Sequence, residues 1–402
     1  MPDRNSWLTE FENHFEKNSV MIQKNYPWLF ERRIETAAKL SKQGFPSKRD
    51  EEWRFTNMEP LWKIPFLVDY SKTLVSFGDE PLDGVEITND ISEVFREDLE
   101  DEFDSNDSFE LLNSILFSNC VCVRLKRGTK LANPILIRIA GSVRNGLSFP
   151  RVLFVAEEGS EATVIEEQMA GLPANTLSTS KIDVILKPSS SIIWNRIQTK
   201  LFAQKSISIL KVRQAEKSCF NVRTVTMNSD FVRNTMSVLL DGDGAVCKMN
   251  GIFLVKGDEL IDNHTMLEHL KPNCQSRQLY KGIVAERGRG VFNGKIYVHR
   301  EAQKTDARQT SKNLILSDRA SIDVKPQLEI FADDVKCSHG STVGHIDENA
   351  LFYLTSRGIS EKTARQMLTK GFINEILEDC ESEDLKMRLE KDVSDWLDTV
   401  RE

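Results

Sequence analysis

Hydrophobic side chains at the start of the chain recur with a helical period. Trp7, Leu8, Phe11 and Phe15 are spaced three to four residues apart, and after Pro27 the pattern resumes at Trp28, Leu29, Ala37, Ala38 and Leu40. Gly44 and Pro46 then interrupt it. We therefore predict N-terminal helices, followed by the aromatic segment "SKRDEEWRFTNMEPLW". The acidic run "REDLEDEFDSND" at residues 96–107 is interpreted as a solvated linker.

From about residue 115 to residue 335 the pattern changes to short alternating runs. Runs such as "CVCVRL", "PILIRI" and "KIDVILK" are rich in β-branched side chains, which is typical of strands. Polar turns separate them, and some recur at similar intervals: 30 positions from Gly159 to Ser189 and 27 from Gly290 to Ser317. No helical segment of roughly 10–15 residues lies between the strands, which argues against a βαβ sheet.

An all-β sandwich, a barrel or a β-solenoid would fit this pattern. The recurrence of polar turns favours the solenoid, in which each coil buries its inward face on its neighbours. The repeat is loose and has no fixed motif, so the sandwich stays open as an alternative. "GRGVFNG" at residues 288–294 has its third glycine one residue late for a dinucleotide-binding motif, and we interpret it as a turn between strands.

Helical spacing returns after Gly344. Ser360 is a candidate N-cap for a helix through "EKTARQMLTKGFINEILE", with apolar positions Ala364, Met367, Leu368, Phe372, Ile376 and Leu377. Ser382 is a candidate cap for a last helix with the stripe Leu385, Leu389, Val393, Trp396, Leu397 and Val400. We expect both stripes to pack against the core of the chain. Because so few short helices form little core of their own, a partner protein on one face is the second interpretation.

Composition narrows the class of protein. The chain has 402 residues, of which 40% are hydrophobic and 28% charged, as in ordinary globular proteins. Its net charge of −8, without a basic tail, argues against nucleic acid as a partner. No run of about 18 apolar residues could span a membrane, and the N-terminus lacks the apolar core of a secretory signal. We therefore expect a cytoplasmic protein with no membrane contact.

Most enzyme classes lack their motifs in this sequence. There is no P-loop, no nucleophile elbow and no zinc-protease helix. The seven cysteines are scattered, without a Cys-x-x-Cys pair, which indicates reduced thiols rather than a disulfide framework or a zinc ribbon. We interpret Cys120 and Cys122 as core packing. The isolated cysteines 219, 247 and 274, and His264, His269 and His299, are interpreted as structural in the same way.

One stretch, "FADDVKCSHGSTVGH" at residues 331–345, has candidate chemistry. If it is extended, Cys337 and His339 share one face and Ser338 lies on the other. A thiolate and a neutral imidazole suit iron, zinc or copper, and could also form a nucleophilic pair. Two ligands cannot complete a tetrahedral site, so a metal centre here would need acidic side chains from elsewhere or ligands from across a subunit interface. On spacing alone, structural packing is an equal alternative.

Long motifs then resemble a known family. "KPQLEIFADDVKCSHGSTVGHIDENALFYLTSRGIS" and "ARQMLTKGFINEIL" resemble the shared C-terminal half of the SufB/SufD family of iron–sulfur cluster assembly scaffolds. "GVFNGKIYVHREAQKTDARQTSKNLILSDRA" fits the same family. "DDVKCSHG" with the following "TVG", and "RDEEWRFTNMEPLW", are similar to the SufD branch. The resemblance extends from about residue 40 to residue 377. The N-terminal cysteine cluster frequent in the SufB branch is missing, which also favours the SufD branch.

The resemblance implies a fold and its domains. We expect a mainly β protein, with a central right-handed parallel β-helix flanked by N-terminal and C-terminal helical domains. The expected boundaries are 1–110 for the N-terminal helical domain with its acidic linker, 111–345 for the β-helix core and 346–402 for the C-terminal helical domain. The last domain would dock the partner ATPase.

The resemblance also implies partners and site residues. SufC, the separate ATPase, docks on the C-terminal helices in this family, and SufB pairs with SufD through the ends of their β-helices. His339 matches the histidine that the SufD branch contributes near that junction, where the nascent cluster forms, and Cys337 matches its neighbouring cysteine. Cys337 would either bind metal or only support the site. No role carries over to Cys120, Cys122 or His345.

We therefore expect a non-enzymatic subunit of a SufB–SufC–SufD complex that builds iron–sulfur clusters and passes them to recipient apoproteins. His339 would bind a transient iron–sulfur cluster as a neutral imidazole at the SufB interface, so that acid weakens cluster retention. Nucleotide binding by SufC would move the two β-helices. The alternative is a purely structural adaptor that holds SufC to SufB. A Cys337–His339 hydrolase is a third hypothesis. Reduced flavin is proposed as an electron source for such complexes. The sequence does not locate a flavin site.

Overall fold

The computed structural model describes residues 3–25, 27–68, 75–77, 82–89, 105–140, 146–169 and 176–400. Strands account for 45% and helices for 27%, so the mainly β prediction is confirmed. All but the last three positions of the acidic run at residues 96–107 lie outside the described residues.

The N-terminal helices follow the predicted hydrophobic spacing. Trp7, Phe11, Ala37 and Leu40 are buried, and Gly44 ends the second helix by adopting a φ of +70° while its N–H donates to the Leu40 carbonyl at 2.7 Å. The described α-helices of this part are α1 (Arg4–Asn25), α2 (Phe30–Gln43), α3 (Glu59–Trp62) and α4 (Ser108–Leu116), with 3₁₀ turns at Pro27–Leu29 and Glu51–Trp53.

Eighteen described strands form the central part. They are β1 (Val75–Phe77), β2 (Val85–Thr88), β3 (Cys120–Leu125), β4 (Ile135–Ala140), β5 (Gly146–Ser148), β6 (Arg151–Ala156), β7 (Glu161–Met169), β8 (Thr176–Leu186), β9 (Ser191–Gln214), β10 (Cys219–Thr226), β11 (Ser229–Leu240), β12 (Val246–Val255), β13 (Leu260–His269), β14 (Gln275–Val284), β15 (Arg289–Val298), β16 (Asp306–Ile315), β17 (Ser321–Ile330) and β18 (Lys336–Gly344).

These strands wind into a β-solenoid of about seven turns. In one sheet Val246 of β12 lies opposite Gln275 of β14, which lies opposite Asp306 of β16, and Asp306 lies opposite Lys336 of β18, all in parallel. Strands β11, β13, β15 and β17 form the second sheet in the same way. Each coil thus advances the chain by roughly 30 residues, as repeat architectures do. The solenoid prediction is confirmed, and the sandwich alternative is wrong.

The polar turns that recur along the sequence stack on one another in successive coils. The Gly159 N–H donates to the Pro188 carbonyl at 3.1 Å, so the turn at Gly159 lies against the turn before Ser189. The interpretation of "GRGVFNG" as a turn is wrong, because Gly290 and Gly294 lie inside strand β15. A side chain at position 294 would collide with the carboxamide of Gln309. Glycine there makes room for an interior side chain from the opposite sheet.

The two ends of the solenoid differ. At the N-terminal end, β1 pairs with β4 and β2 pairs with β3, both in antiparallel fashion, so the first coil is covered. At the C-terminal end, β17 pairs with β15 and β18 with β16, and within the described part of the chain no strand pairs with their outer edges. The last coil therefore has an open edge and an uncovered interior face.

Helix α4 spans the expected boundary between residues 110 and 111 and is buried along its whole length against the solenoid. The Glu110 carboxylate contacts Lys181 Nζ at 2.7 Å and Lys211 Nζ at 2.6 Å. Burial raises the pKa of Glu110, but the two ammonium groups outweigh it and lower the pKa to about 2. The helix is thus attached to the second sheet by buried charge as well as by apolar contact.

The aromatic segment after α2 lies across the outer face of the second sheet. Glu52 Oε2 contacts His264 Nδ1 at 3.1 Å and accepts a hydrogen bond from Asn293 Nδ2 at 3.1 Å, while Thr56 Oγ1 donates to the buried Asp262. Side chains of two consecutive coils, on β13 and β15, therefore bind this segment. We call residues 52–56 and their solenoid partners the N-terminal clasp.

The C-terminal helices are α5 (Glu348–Ser356), α6 (Glu361–Glu378) and α7 (Glu383–Thr399). Ser360 and Ser382 cap α6 and α7 as predicted, accepting hydrogen bonds from the N–H groups of Thr363 and Leu385. The α7 stripe is buried against outward-facing residues of the first sheet, such as Val225 and Ile252. The predictions missed α5. Met367 was expected to be a core position but is 48% exposed, because α6 buries Ile373 and Thr369 instead.

Candidate functional site

The candidate pair lies on the last strand of the solenoid. In β18, Cys337 is opposite Ala307 and His339 is opposite Gln309 of the neighbouring coil. Ala307 and Gln309 are 0% and 1% exposed because they face the interior. Since parallel pairing keeps side chains in register, Cys337 and His339 continue these interior columns. The shared face that the spacing predicted is therefore present.

His339 lies at an interior-facing position of the last coil. It is nevertheless exposed, because no described strand covers that coil. Cys337 is half-buried and packs against the edge of the main core. The same strand thus places an accessible imidazole next to a partly shielded thiol. An accessible ring nitrogen at a coil end is available to a metal or to a partner chain.

Burial raises the pKa of the Cys337 thiol, and a backbone hydrogen bond involving Ala307 only partly opposes this effect. At neutral pH Cys337 is therefore a protonated thiol. Because the thiolate is both the nucleophile and the metal ligand, this environment does not activate the cysteine. The arrangement disfavours the Cys337–His339 hydrolase.

The donors of this strand do not form a closed metal site. Within the described residues, no three His, Cys, Asp or Glu side chains come together in a way that could hold a metal ion. A tetrahedral centre needs four ligands, and the strand offers at most two. Any metal held here would have to take its other ligands from outside the described part of this chain.

The last coil also carries apolar side chains. Ile322, Val324 and Leu328 of β17 are half-buried at the margin of the core. Phe331 and Val343 are 55% and 50% exposed. The last coil therefore presents exposed apolar side chains as well as one imidazole, a composition typical of protein interfaces rather than of free surface. We call Ile322, Val324, Leu328, Phe331, His339 and Val343 the coil-end surface.

Four other cysteines and three other histidines are buried or make contacts within the fold. Cys120, Cys122, Cys247 and Cys274 are buried, and burial raises the pKa of the Cys274 thiol to about 11. Burial lowers the pKa of His269 to about 4, and its Nε2 contacts Ser276 Oγ at 3.0 Å. His299 contacts Glu268 at 2.7 Å, and the exposed His345 donates from Nδ1 to the Ile315 carbonyl at 3.2 Å. The structural interpretation of His264, His269 and His299 agrees with these contacts.

Sequence reasoning missed the polar interior next to the candidate pair. Gln309, Ser311 and Asn313 of β16 are buried at alternate positions, where an ordinary core strand carries apolar side chains. The signal was present in "DARQTSKNLI", in which both alternating sets of residues are polar. Polar residues on both faces of a two-residue period indicate a strand that turns polar side chains toward the interior.

The C-terminal helices carry a second exposed apolar surface. Phe352 and Tyr353 of α5 are 74% and 57% exposed, and Met367 lies exposed on the neighbouring α6. None of the described helices is long and apolar enough to cross a membrane. Exposed aromatic side chains of this size are typical of a docking surface.

Comparison with known proteins connects these features. Residues 138–372 match the core domain of the SufBD proteins of the SUF iron–sulfur cluster assembly system, and residues 6–81 match the SufBD N-terminal region. The iron–sulfur cluster assembly protein SufD of Escherichia coli is 31% identical, with 95% of this chain and 94% of that protein covered.

Two further relatives agree with that match. The chloroplastic protein ABCI7 of Arabidopsis thaliana is 29% identical over 86% of this chain and 81% of its own length. An iron–sulfur cluster assembly SufBD family protein of Synechocystis is 26% identical over 91% of this chain and 90% of its own length. Together with the parallel β-solenoid and its flanking helices, these matches show that the chain belongs to the SufBD family of iron–sulfur cluster assembly proteins and is of the SufD type.

Proposed function

We propose that this chain is the SufD-type scaffold subunit of a complex with a SufB paralogue and the SufC ATPase, without an enzymatic activity of its own. The coil-end surface meets the β-helix of SufB, and His339 binds the nascent iron–sulfur cluster at that junction. The finished cluster then passes to recipient apoproteins. The observation that carries this proposal is an exposed imidazole on a last coil that also has exposed apolar side chains and whose strand edges are unpaired within the described chain.

The incomplete ligand set supports a shared site. The strand offers His339 and Cys337 but no third donor among the described residues, so a cluster held by His339 needs ligands from a partner. A β-helix that stacks on the open coil end would supply them where it covers the apolar side chains. The transient cluster is then cargo of the junction rather than a resident group of either subunit.

The exposed aromatic surface on α5 and α6 supports a second partner. We assign Phe352, Tyr353 and Met367 to the docking of SufC, on the part of the chain expected to form the C-terminal domain at 346–402. Helix α7 packs on the outside of the first sheet. A force applied to these helices by the ATPase would therefore be transmitted to the solenoid that carries His339.

The test is the iron and acid-labile sulfide content of the anaerobically isolated three-protein complex. His339→Ala should leave the complex assembled but reduce cluster content severalfold. His345→Ala is the matched control, because His345 is also an exposed histidine and lies just beyond the same strand. It should retain the cluster content of the wild-type complex.

The alternative to this proposal is the purely structural adaptor, which holds SufC against SufB and leaves all ligands on SufB. If His339→Ala and Cys337→Ala both retain cluster, while loss of the C-terminal helices abolishes it, the adaptor replaces the scaffold proposal.

A further inference from the structure

The residue opposite His339 on the neighbouring coil has a buried polar group without a partner. Gln309 is 1% exposed, and its Nε2 donates to the Gly294 carbonyl at 3.1 Å across the solenoid interior. Its Oε1 has no hydrogen-bond partner in the described structure. Because Nε2 must be the donor to a carbonyl, the free group is the carboxamide oxygen, which is an acceptor. A buried acceptor without a partner costs free energy unless something binds it.

The position of this acceptor is set by the opposite sheet. Gly294 lacks a side chain where any Cβ would collide with the Gln309 carboxamide. The hydrogen bond to the Gly294 carbonyl therefore holds the amide group in a slot made for it. Gln309 is thus a rigid side chain rather than a loosely packed one.

His339 is the residue directly opposite Gln309 on the outer coil. Paired residues on parallel strands lie about 4.8 Å apart, and both side chains lie on the interior-facing side. His339 is exposed, so its side chain has room to change rotamer, and a rotamer turned toward the interior would place a ring N–H near the buried oxygen. No other described strand lies between them.

We propose that Gln309 is a positioning residue for His339: its Oε1 accepts a hydrogen bond from one ring N–H and so presents the other ring nitrogen outward at the coil end. A metal-binding histidine ordinarily needs such an acceptor, because it selects the tautomer and the ring orientation. This inference rests on the proposed function of His339 as a ligand, but the hydrogen bond itself can be tested without a cluster.

The tautomer of His339 in the full-length chain is the direct test. The protein is labelled with ¹⁵N-histidine, and the His339 signals among the six histidines are assigned by their loss in His339→Ala. In the wild type, one tautomer should be favoured by about five- to tenfold, the preference that one hydrogen bond gives. Gln309→Met, which keeps the length of the side chain but removes the acceptor, should bring the Nδ1 and Nε2 shifts toward each other.

Gln278→Met is the matched control. Gln278 lies in the same column one coil further inward, is buried, and also has an unpartnered Oε1, but it does not face His339. It should leave the His339 shifts unchanged. If Gln309→Met has no effect on the tautomer, or if both variants change it equally, the positioning role is overturned.

A second measurement separates this inference from the proposed function. In the three-protein complex, Gln309→Met should reduce iron and sulfide content less than His339→Ala does, and Gln278→Met should not reduce it. If His339→Ala leaves cluster content unchanged, the proposed function fails whatever the tautomer measurement gives. If only the tautomer fails to respond to Gln309→Met, the ligand role stands and the positioning role does not.

Discussion

The Arg233 guanidinium lies 3.7 Å from the centre of the Trp53 ring, and this contact joins the N-terminal segment to the wall of the solenoid. Arg233 Nη1 also contacts Asp262 Oδ2 at 2.6 Å and donates to the Glu52 carbonyl at 2.9 Å. Both charged side chains are buried, at 2% exposure or less. The N-terminal clasp therefore contains a buried ion pair, between Arg233 and Asp262, that is covered by the Trp53 ring.

Asp262→Ala should strongly destabilise the protein. Although burial raises the pKa of Asp262, the His264 imidazole and the Arg233 guanidinium hold that pKa well below its usual range, so the carboxylate is charged at neutral pH. Its removal leaves Arg233 buried without a counterion, which typically costs about 3–5 kcal/mol. Denaturant unfolding, monitored by tryptophan fluorescence, would measure the loss.

Asp258→Ala is the control for this prediction. Asp258 pairs with Arg287 at 2.8 Å, but both side chains are more than half exposed, so solvent screens their attraction. Its unfolding midpoint should equal that of the wild type. Equal destabilisation by the two variants would show that the buried ion pair contributes no more to stability than the exposed one.

Stability should fall in acid because of Glu110. Its pKa is about 2 in the folded chain and 4.5 as a free side chain, so the unfolded state binds more protons between these values. Its contribution is complete above about pH 5, is lost as the pH falls toward 2, and amounts to about 3 kcal/mol. Burial lowers the pKa of its partner Lys181, which affects the alkaline range and leaves the acid range unchanged.

The measurement is the difference in unfolding free energy between wild type and Glu110→Gln as a function of pH. The difference should be largest at pH 6 and shrink below pH 4.5. Glu161→Gln, at the exposed Lys130 pair, should give no such pH-dependent difference. A Glu110→Gln difference that is constant from pH 6 to pH 3 would contradict the assignment.

Binding of the ATPase should depend on the exposed aromatic side chains of α5. Phe352→Ser should weaken association with SufC by roughly 10- to 100-fold, the usual effect of losing a central aromatic contact. Its thermal midpoint should stay unchanged, because Phe352 is 74% exposed in the free chain. Met387→Ser, at an exposed position of α7, is the control and should bind normally. Wild-type affinity of Phe352→Ser would place the docking surface elsewhere.

Association with SufB should depend on the coil-end surface. Val343→Asp places a charge in the expected contact and should abolish co-purification with SufB, since a buried unpaired charge is costly. Folding should be unaffected, because Val343 is 50% exposed. Ile87→Asp makes the same kind of change at the covered end, where Ile87 is 45% exposed on β2. If Ile87→Asp disrupts the complex and Val343→Asp does not, the partner uses the opposite end.

Local signals in the sequence predicted the elements whose cause is itself local. The serine caps at 360 and 382, the break at Gly44 and the alternating strand runs all depend on residues within one turn or one strand. The last helix was predicted for the same reason, with every residue of its stripe buried except Val400, which follows the helix and is half-buried. The exposed position of Met367 was missed, because the choice of buried face depends on the sheet against which α6 packs. Helix α5 was missed although its N-cap, Asp347, is a local signal.

What only the tertiary structure decided is the alignment of residues about thirty positions apart. The sequence alone determined that Cys337 and His339 share a face, since strand geometry requires it. That His339 lies over Gln309, and that the coil ends there with an open edge, follows from the register of β16 with β18. Two further contacts also depend on the stacked coils: Glu52 contacts His264, 212 positions along the chain, and Gly294 faces Gln309 of the opposite sheet. Such contacts depend on how the coils stack, and no short stretch of the sequence contains that information.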